Sequence, residues 1–164
     1  MSFSELSWRG MSGLWNVYAC NGKVVVPTLA QTEAGFYMEK EPVEVAAETD
    51  EAAIAAAIAR AMSRGNPSIP TPPRGAKLPP PVVLRPAGVR SWAALERIAR
   101  TWSIAEDHGR FRLVPQKRTP PRGWSEDESG ALLLPAGSAP FDAARRMAAL
   151  VAESARAHAR KGEL

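Results

Sequence analysis

Cys20, His108 and His158 are the side chains of this sequence best suited to act as a nucleophile or a general base. A histidine base must reach the proton that it removes, and a reactive thiol needs a neighbour that stabilises its thiolate. His108 stands in Asp107-His108-Gly109, which is typical of a tight turn, and His158 lies among alanines and arginines. We therefore expect the first histidine to serve a turn and the second to face solvent.

The lone thiol makes a similarly weak case for catalysis. Lys23 follows Cys20 closely and would favour a lower thiol pKa, but no histidine stands near this cysteine in the sequence. One cysteine cannot form an internal disulfide, and two histidines cannot supply a common Cys/His zinc cluster. The sequence also has none of the GxGxxG, GxxxxGK and HExxH motifs. We expect no catalytic residue, no metal and no cofactor, and a protein that is not an enzyme.

The acidic side chains are concentrated in one part of the chain. Between positions 33 and 51, seven acids stand against a single lysine. Alternation of side chains predicts a strand on which Tyr37, Glu39 and Glu41 form an aromatic and acidic ridge. Such a ridge suits a basic protein surface, because complementary charges speed association; a solvated sheet face is the alternative. The predicted partner-binding residues are Tyr37, Glu39 and Glu41, with Glu33 and Trp8 at the edge.

Residues 85–122 carry the opposite charge. They hold nine basic and three acidic side chains, a net charge of +6, whereas residues 1–50 hold three basic and seven acidic side chains, a net charge of −4. Arg110 and Arg112 share the basic face of a predicted strand. Arginines interleaved with aromatic residues are typical of surfaces that bind nucleic acid. Binding of nucleic acid by this basic region is therefore the alternative function.

A tight hairpin is the clearest element that positions these residues, because Asn21-Gly22 fits the two left-handed positions of its turn. The register pairs Tyr18 with Val25. A third strand is expected to follow and to end at Pro42. The face expected to be buried carries Trp15, Val17, Ala19, Val24 and Val26. The opposite face, expected to be covered in part, carries Leu14, Asn16, Tyr18 and Val25.

Three helices are predicted from capping residues and apolar periodicity. They extend from Thr49 or Asp50 to about Arg64, from Ser91 to Trp102, and from about Pro140 to Arg160. Val82-Val83-Leu84 indicates a short strand, and a second hairpin is expected around Asp107-His108-Gly109. These elements indicate an α+β fold, with a largely antiparallel β-sheet and helices packed on one face.

The length of 164 residues favours a single domain over residues 1–164. Residues 65–81, with seven prolines in 17 positions, cannot form a continuous helix or a central strand. We interpret this proline-rich segment as a strap crossing the surface, with a linker between two subdomains as the alternative. No apolar run is long enough to span a membrane, and the N-terminus lacks the pattern of a signal peptide, so we expect a cytoplasmic protein.

Landmarks of the first hairpin and third strand resemble a known family. They are Trp8, Ser12-Gly13-Leu14-Trp15-Asn16-Val17-Tyr18, Asn21-Gly22, Val25-Val26-Pro27 and the run from Glu33 to Val43, followed later by Pro81-Val82-Val83-Leu84 and Ser91-Trp92. The sequence here is similar to the immunity proteins of bacterial contact-dependent growth inhibition systems. The resemblance extends more weakly to about residue 115.

This resemblance implies a non-catalytic protein that binds the C-terminal toxin domain of a large exported effector and neutralises it inside the producing cell. Many such toxins are basic nucleases, and many immunity proteins are acidic. The net charge of +4 departs from that tendency. Arg110 and Arg112 are therefore a competing partner surface, which would suit an acidic toxin.

Overall fold

The fold is built on a sheet of eight strands, which the computed structural model describes over residues 11–162. The strands are β1 (Met11–Cys20), β2 (Lys23–Thr32), β3 (Tyr37–Ala47), β4 (Ser68–Ile69), β5 (Arg100–Asp107), β6 (Arg110–Arg118), β7 (Trp124–Glu126) and β8 (Leu132–Leu133). They follow the order β3-β2-β1-β5-β6-β7, with β4 beside β2 and β8 beside β6. The short β4 pairs parallel to β2, and the other pairings described are antiparallel.

The described residues also form four α-helices: α1 (Glu51–Ser63), α2 (Leu84–Ala87), α3 (Trp92–Ile98) and α4 (Pro140–Gly162). The two long helices, α1 and α4, pack on the face that carries Trp15 and Val17 and bury the larger apolar core there. The predicted α+β fold with a largely antiparallel sheet is confirmed. The short α2 and α3 pack on the opposite face, against Tyr18 and Val25.

The first hairpin has the predicted register. Tyr18 pairs with Val25, and the turn residues Asn21 and Gly22 have φ angles of 54° and 76°. The prediction that the third strand ends at Pro42 is wrong, because β3 continues to Ala47 after a shift in its register with β2. An irregular edge strand accommodates proline, since its outer side donates no ladder hydrogen bonds. Thr28 Oγ1 donates a 2.8 Å hydrogen bond to the Pro42 carbonyl at this irregularity.

Helix α1 begins and ends where its capping residues predict. The Asp50 side chain accepts a 3.0 Å hydrogen bond from the Ala53 amide, which satisfies one of the unpaired donors of the first turn. Gly65, at φ 64°, takes the chain out of the helix. Ile54 and Ile58 are fully buried between the sheet and α4.

Two elements of the middle region differ from the sequence prediction. The helix predicted to reach Trp102 ends at Ile98, and residues 100–107 form β5 instead. Pairing with both β1 and β6 outweighs the helical periodicity of this segment, since it buries Trp102 and Ile104 in the larger core. The short strand predicted at residues 82–84 is also wrong, because the chain there enters α2.

The proline-rich segment contacts the sheet through its first residues. The Asn66 side chain donates 2.8 Å hydrogen bonds to the carbonyls of Leu14 and Leu29 and accepts one of 3.1 Å from the Leu14 amide. Next to it, β4 pairs with the end of β2. Residues 73–80 are exposed. That the chain forms a single domain, with this segment as a strap on its surface, stays a prediction.

Candidate functional site

A groove of about 550 Å³ opens on the sheet face opposite α1 and α4. The central strands β1 and β5 contribute Asn16, Tyr18 and Thr101, and the edge strand β3 contributes Tyr37 and Glu39. The remaining lining comes from α3, the last strands of the sheet and the end of the proline-rich segment: Trp92, Gln116, Trp124 and residues 78–82. We call this the groove.

Glu39 is the acidic group of the groove. Its Oε2 atom accepts a 2.6 Å hydrogen bond from the Tyr18 hydroxyl and a 3.2 Å hydrogen bond from Asn16 Nδ2. Both donors belong to β1, two residues apart on one face, as the alternation of a strand requires. Glu39 lies opposite Leu29 in the register of β3 with β2, so the two hydrogen bonds reach across β2.

The surroundings of this pair shift both side chains toward their neutral forms. Burial raises the pKa of Glu39, although the hydrogen bonds from Tyr18 and Asn16 act in the opposite direction. Burial, then the charge and the hydrogen bond of Glu39, raise the pKa of Tyr18 well above its usual value. Among residues 11–162, no lysine, arginine or histidine nitrogen lies within 4.0 Å of the Glu39 carboxylate. The carboxylate is therefore partly buried and lacks a counter-ion in that part of the chain.

Three aromatic rings meet beside Glu39. The ring centroids of Tyr18, Trp92 and Trp124 lie 5.6 to 6.4 Å apart, and each pair meets edge to face, at angles of 69° to 87°. Such contacts are favourable because the positive edge of one ring meets the negative face of the next. Because Trp92 is only partly buried, this cluster presents aromatic surface at the groove.

Some polar side chains of the groove have hydrogen-bond partners in the described chain, whereas one buried hydroxyl has none there. Gln116 Nε2 donates a 3.1 Å hydrogen bond to Ser103 Oγ, which fixes that amide. Thr101 is 6% exposed, and its Oγ1 atom has no hydrogen-bond partner in the described chain. Buried hydroxyl groups are usually paired, so this atom is an exception within the described chain.

The structure separates the residues predicted to form an acidic ridge. Tyr37 and Glu39 are partly buried and line the groove, whereas Glu41 is exposed and does not line it. Glu33 is exposed beyond β2, near the turn into β3. Trp8 lies outside the described residues. The expected projecting ridge is thus a concave wall that contains two of its predicted members.

The predicted basic surface is largely engaged within the chain. Arg112 pairs with Glu126 at 3.0 Å and also with Glu128. Arg110 donates a 3.1 Å hydrogen bond to the Leu134 carbonyl, although the residue remains exposed. The aromatic residues expected to stack on bases are mostly buried, with Trp102, Phe111 and Trp124 at 8% exposure or less.

The candidate catalytic side chains take structural positions. Cys20 is buried in β1, and burial, followed by the charge of Glu48, raises the pKa of its thiol, contrary to the effect expected of Lys23. His108 lies in the turn between β5 and β6 with a φ of 49°. Residues 11–162 include no group of three His, Cys, Asp or Glu side chains placed to hold a metal ion. In the same range, every helix is too short or too polar to cross a membrane.

Sequence reasoning missed most of the groove. Trp92 belongs to a predicted helix and Trp124 to no predicted element, so neither was connected with Tyr18. The available signal was the second face of the first hairpin, where Leu14, Asn16 and Tyr18 alternate with core residues. A strand with apolar residues on both faces must be covered on both, and here the second cover is incomplete.

Comparison with known proteins identifies solved structures of similar fold. No family model matches the sequence, and a search of curated proteins finds no match. A protein of unknown function from Neisseria meningitidis has a similar structure, with a TM-score of 0.59 and 12% identity over 94% of this chain and 98% of that one. A chain of the CdiA-CT/CdiI toxin and immunity complex from Yersinia pseudotuberculosis has a TM-score of 0.54 and 14% identity, over 85% of this chain and 96% of that one.

Proposed function

We propose that this chain is an immunity protein that binds and neutralises the C-terminal toxin domain of a contact-dependent growth inhibition effector in the cytoplasm. The observation that carries the proposal is the structural similarity to a chain of a toxin and immunity complex, which extends over nearly all of that chain. The sequence landmarks of the first hairpin support the same family independently of the fold comparison. The role requires binding and no catalytic chemistry.

The groove is the surface that best fits this role. Protein interfaces gain most of their affinity from a few aromatic or charged residues in a desolvated centre. Trp92, Tyr37 and Glu39 supply such a centre, and the rim includes apolar Leu78, which is 56% exposed. We therefore place the toxin contact at the groove, with Tyr37 and Glu39 retained from the predicted site.

Nucleic acid binding by residues 85–122 has less support. The internal ion pairs of Arg112 and the burial of Trp102 and Phe111 make three of the expected side chains less available to phosphates and bases, whereas Arg110 remains exposed. That alternative predicts an affinity for RNA that falls steeply with salt concentration, because bound cations are released from the phosphates.

The test is co-expression with the C-terminal toxin domain that the proposal expects to be encoded beside the gene for this chain. The chain should restore growth of cells that produce the toxin domain and should co-purify with it as a stable complex. A toxin domain from an unrelated effector of the same kind is the matched control and should not be neutralised. A folded chain that neither protects cells nor binds the adjacent toxin domain would overturn the proposal, and salt-sensitive RNA binding would then favour the alternative.

A further inference from the structure

We propose that the groove takes a single lysine or arginine side chain of the partner protein, whose charged end pairs with Glu39 and whose stem lies against Trp92. The identity of the partner as a toxin domain rests on the function proposed above. The recognition chemistry itself rests on the carboxylate and the aromatic rings of the groove.

One carboxylate oxygen of Glu39 accepts no hydrogen bond within the described chain. Both internal donors, Tyr18 Oη and Asn16 Nδ2, bond to Oε2, and Oε1 accepts no hydrogen bond from residues 11–162. A glutamine could accept the same two hydrogen bonds through its carbonyl oxygen without placing a charge in a partly buried site. The charge is therefore unnecessary for the contacts within the chain, and it costs stability unless a cation is present.

The nearest cationic residue of the same strand leaves this charge unpaired. Lys40 follows Glu39 directly and also lines the groove, but no ion pair joins the two side chains. Glu44, by contrast, pairs with Arg64 at 2.9 Å and Glu48 with Arg100 at 2.7 Å. The carboxylate in the groove is thus left for a cation from outside the described chain.

The rest of the groove suits the remainder of a basic side chain. Lysine and arginine carry long apolar stems, which suit the partly exposed ring of Trp92 and the apolar residues 78–82 that also line the groove. The ring of Trp92 is partly exposed at the groove, and an aromatic face attracts a cation placed over it.

Affinity measurements on charge-matched variants test this inference. The dissociation constant for the adjacent toxin domain is measured with the unchanged chain, with Glu39→Gln and with Glu41→Gln. Both variants remove one negative charge from β3, but Glu41 is exposed outside the groove. We expect Glu39→Gln to weaken binding by about 30-fold or more, because it leaves a buried cation unpaired, and Glu41→Gln to change it by less than about threefold.

A double-mutant cycle identifies the partner cation. Each lysine or arginine of the toxin domain is replaced singly by methionine, and each variant is measured against the unchanged chain and Glu39→Gln. One replacement should abolish most of the effect of Glu39→Gln, which shows direct coupling. Equal affinity of the unchanged chain and Glu39→Gln, or the absence of any coupled replacement, would overturn the inference while leaving the proposed function intact. Failure of the unchanged chain to bind the toxin domain would overturn both.

Discussion

The hydroxyl of Tyr18 donates a 2.6 Å hydrogen bond to Oε2 of Glu39, and this bond joins the central strand β1 to the edge strand β3 across β2. The same tyrosine ring contacts Trp92 and Trp124. One side chain thus connects the acidic wall of the groove with its aromatic cluster. A substitution in the acidic wall should therefore alter the aromatic cluster, and the reverse should also hold. Four predictions concern the groove and the contacts elsewhere in the fold.

The first prediction concerns the stability of the free protein. Because burial raises the pKa of Glu39 in the folded state, its ionised form is disfavoured by folding. We expect Glu39→Gln to raise the free energy of unfolding at pH 8 by roughly 0.5 to 1 kcal/mol, since the side chain is partly buried and both hydrogen bonds can be retained. Urea unfolding, with Glu41→Gln as the control, measures this gain.

The sign of the pH dependence follows from the same shift. A folded pKa above the unfolded value of about 4.3 means that the folded state binds the proton more tightly, so the unchanged chain gains stability as the pH falls through the folded pKa. The advantage of Glu39→Gln should therefore be complete at pH 8 and disappear near pH 4. An advantage that is the same at both values would contradict the cause that we assign.

The second prediction concerns the aromatic wall. Trp92→Leu removes the partly exposed ring beside Tyr18 and should weaken binding of the adjacent toxin domain by about tenfold or more, as expected of an aromatic residue at the centre of an interface. Phe141→Leu is the matched control, because Phe141 is 54% exposed on α4, away from the groove. Calorimetric titration measures both affinities. Equal losses for the two variants would place the interface elsewhere.

The third prediction concerns the attachment of α1 to β3. Glu44 accepts hydrogen bonds from Arg64 at 2.9 Å and Arg60 at 3.0 Å. Burial alone would raise the pKa of Glu44, but the hydrogen bonds and charges of these arginines outweigh it and lower the pKa. Glu44→Gln should lower the free energy of unfolding at pH 7 by about 1 to 2 kcal/mol, because Arg64 loses its charged partner.

For this carboxylate the pH dependence has the opposite sign. Its stabilising effect is present above the unfolded pKa of about 4.3 and is lost as the pH falls through the lower folded value. The difference between the unchanged chain and Glu44→Gln should therefore shrink below about pH 4. Urea unfolding at pH 7 and pH 3 checks this, and an undiminished difference at pH 3 would count against an ionic origin.

The fourth prediction concerns Asn66, whose side chain bonds to Leu14 and Leu29. Asn66→Ala should lower the free energy of unfolding by about 1 to 3 kcal/mol, because it leaves backbone groups of β1 and β2 unpaired. Asn66→Asp should cost more, since it turns a carboxylate oxygen toward two carbonyl oxygens. Thermal unfolding ranks the two variants, and an Asp variant as stable as the unchanged chain would refute the assigned orientation of the amide.

Local signals in the sequence predicted the first hairpin and α1. Asn21-Gly22 and Asp50 act within a few residues of themselves, so their turn and cap geometry follows from the adjacent sequence. The segment after Ile98 forms a strand instead of a helix in part because it pairs with β1, which is distant in the chain. Contacts of that range outweigh the intrinsic preference of a short segment.

The site was predictable only in part, for the same reason. Strand alternation correctly placed Tyr37 and Glu39 on one face. It carried no information that Tyr18 would reach Glu39 across β2, or that Trp124 would come from more than 100 residues later in the chain. A groove forms only where several elements meet, so the local sequence predicted a projecting ridge where the structure has a concave wall.

Three consecutive prolines, at positions 79–81, form part of the groove lining. Proline rings fix φ, so this part of the lining loses little conformational entropy when a complex forms. The preorganised lining favours affinity without the support of a helix or strand. Because Leu78, Pro79 and Pro80 are exposed and line the groove, substitutions at these positions would reshape the groove and leave the sheet unchanged, which gives related proteins a simple route to different specificities.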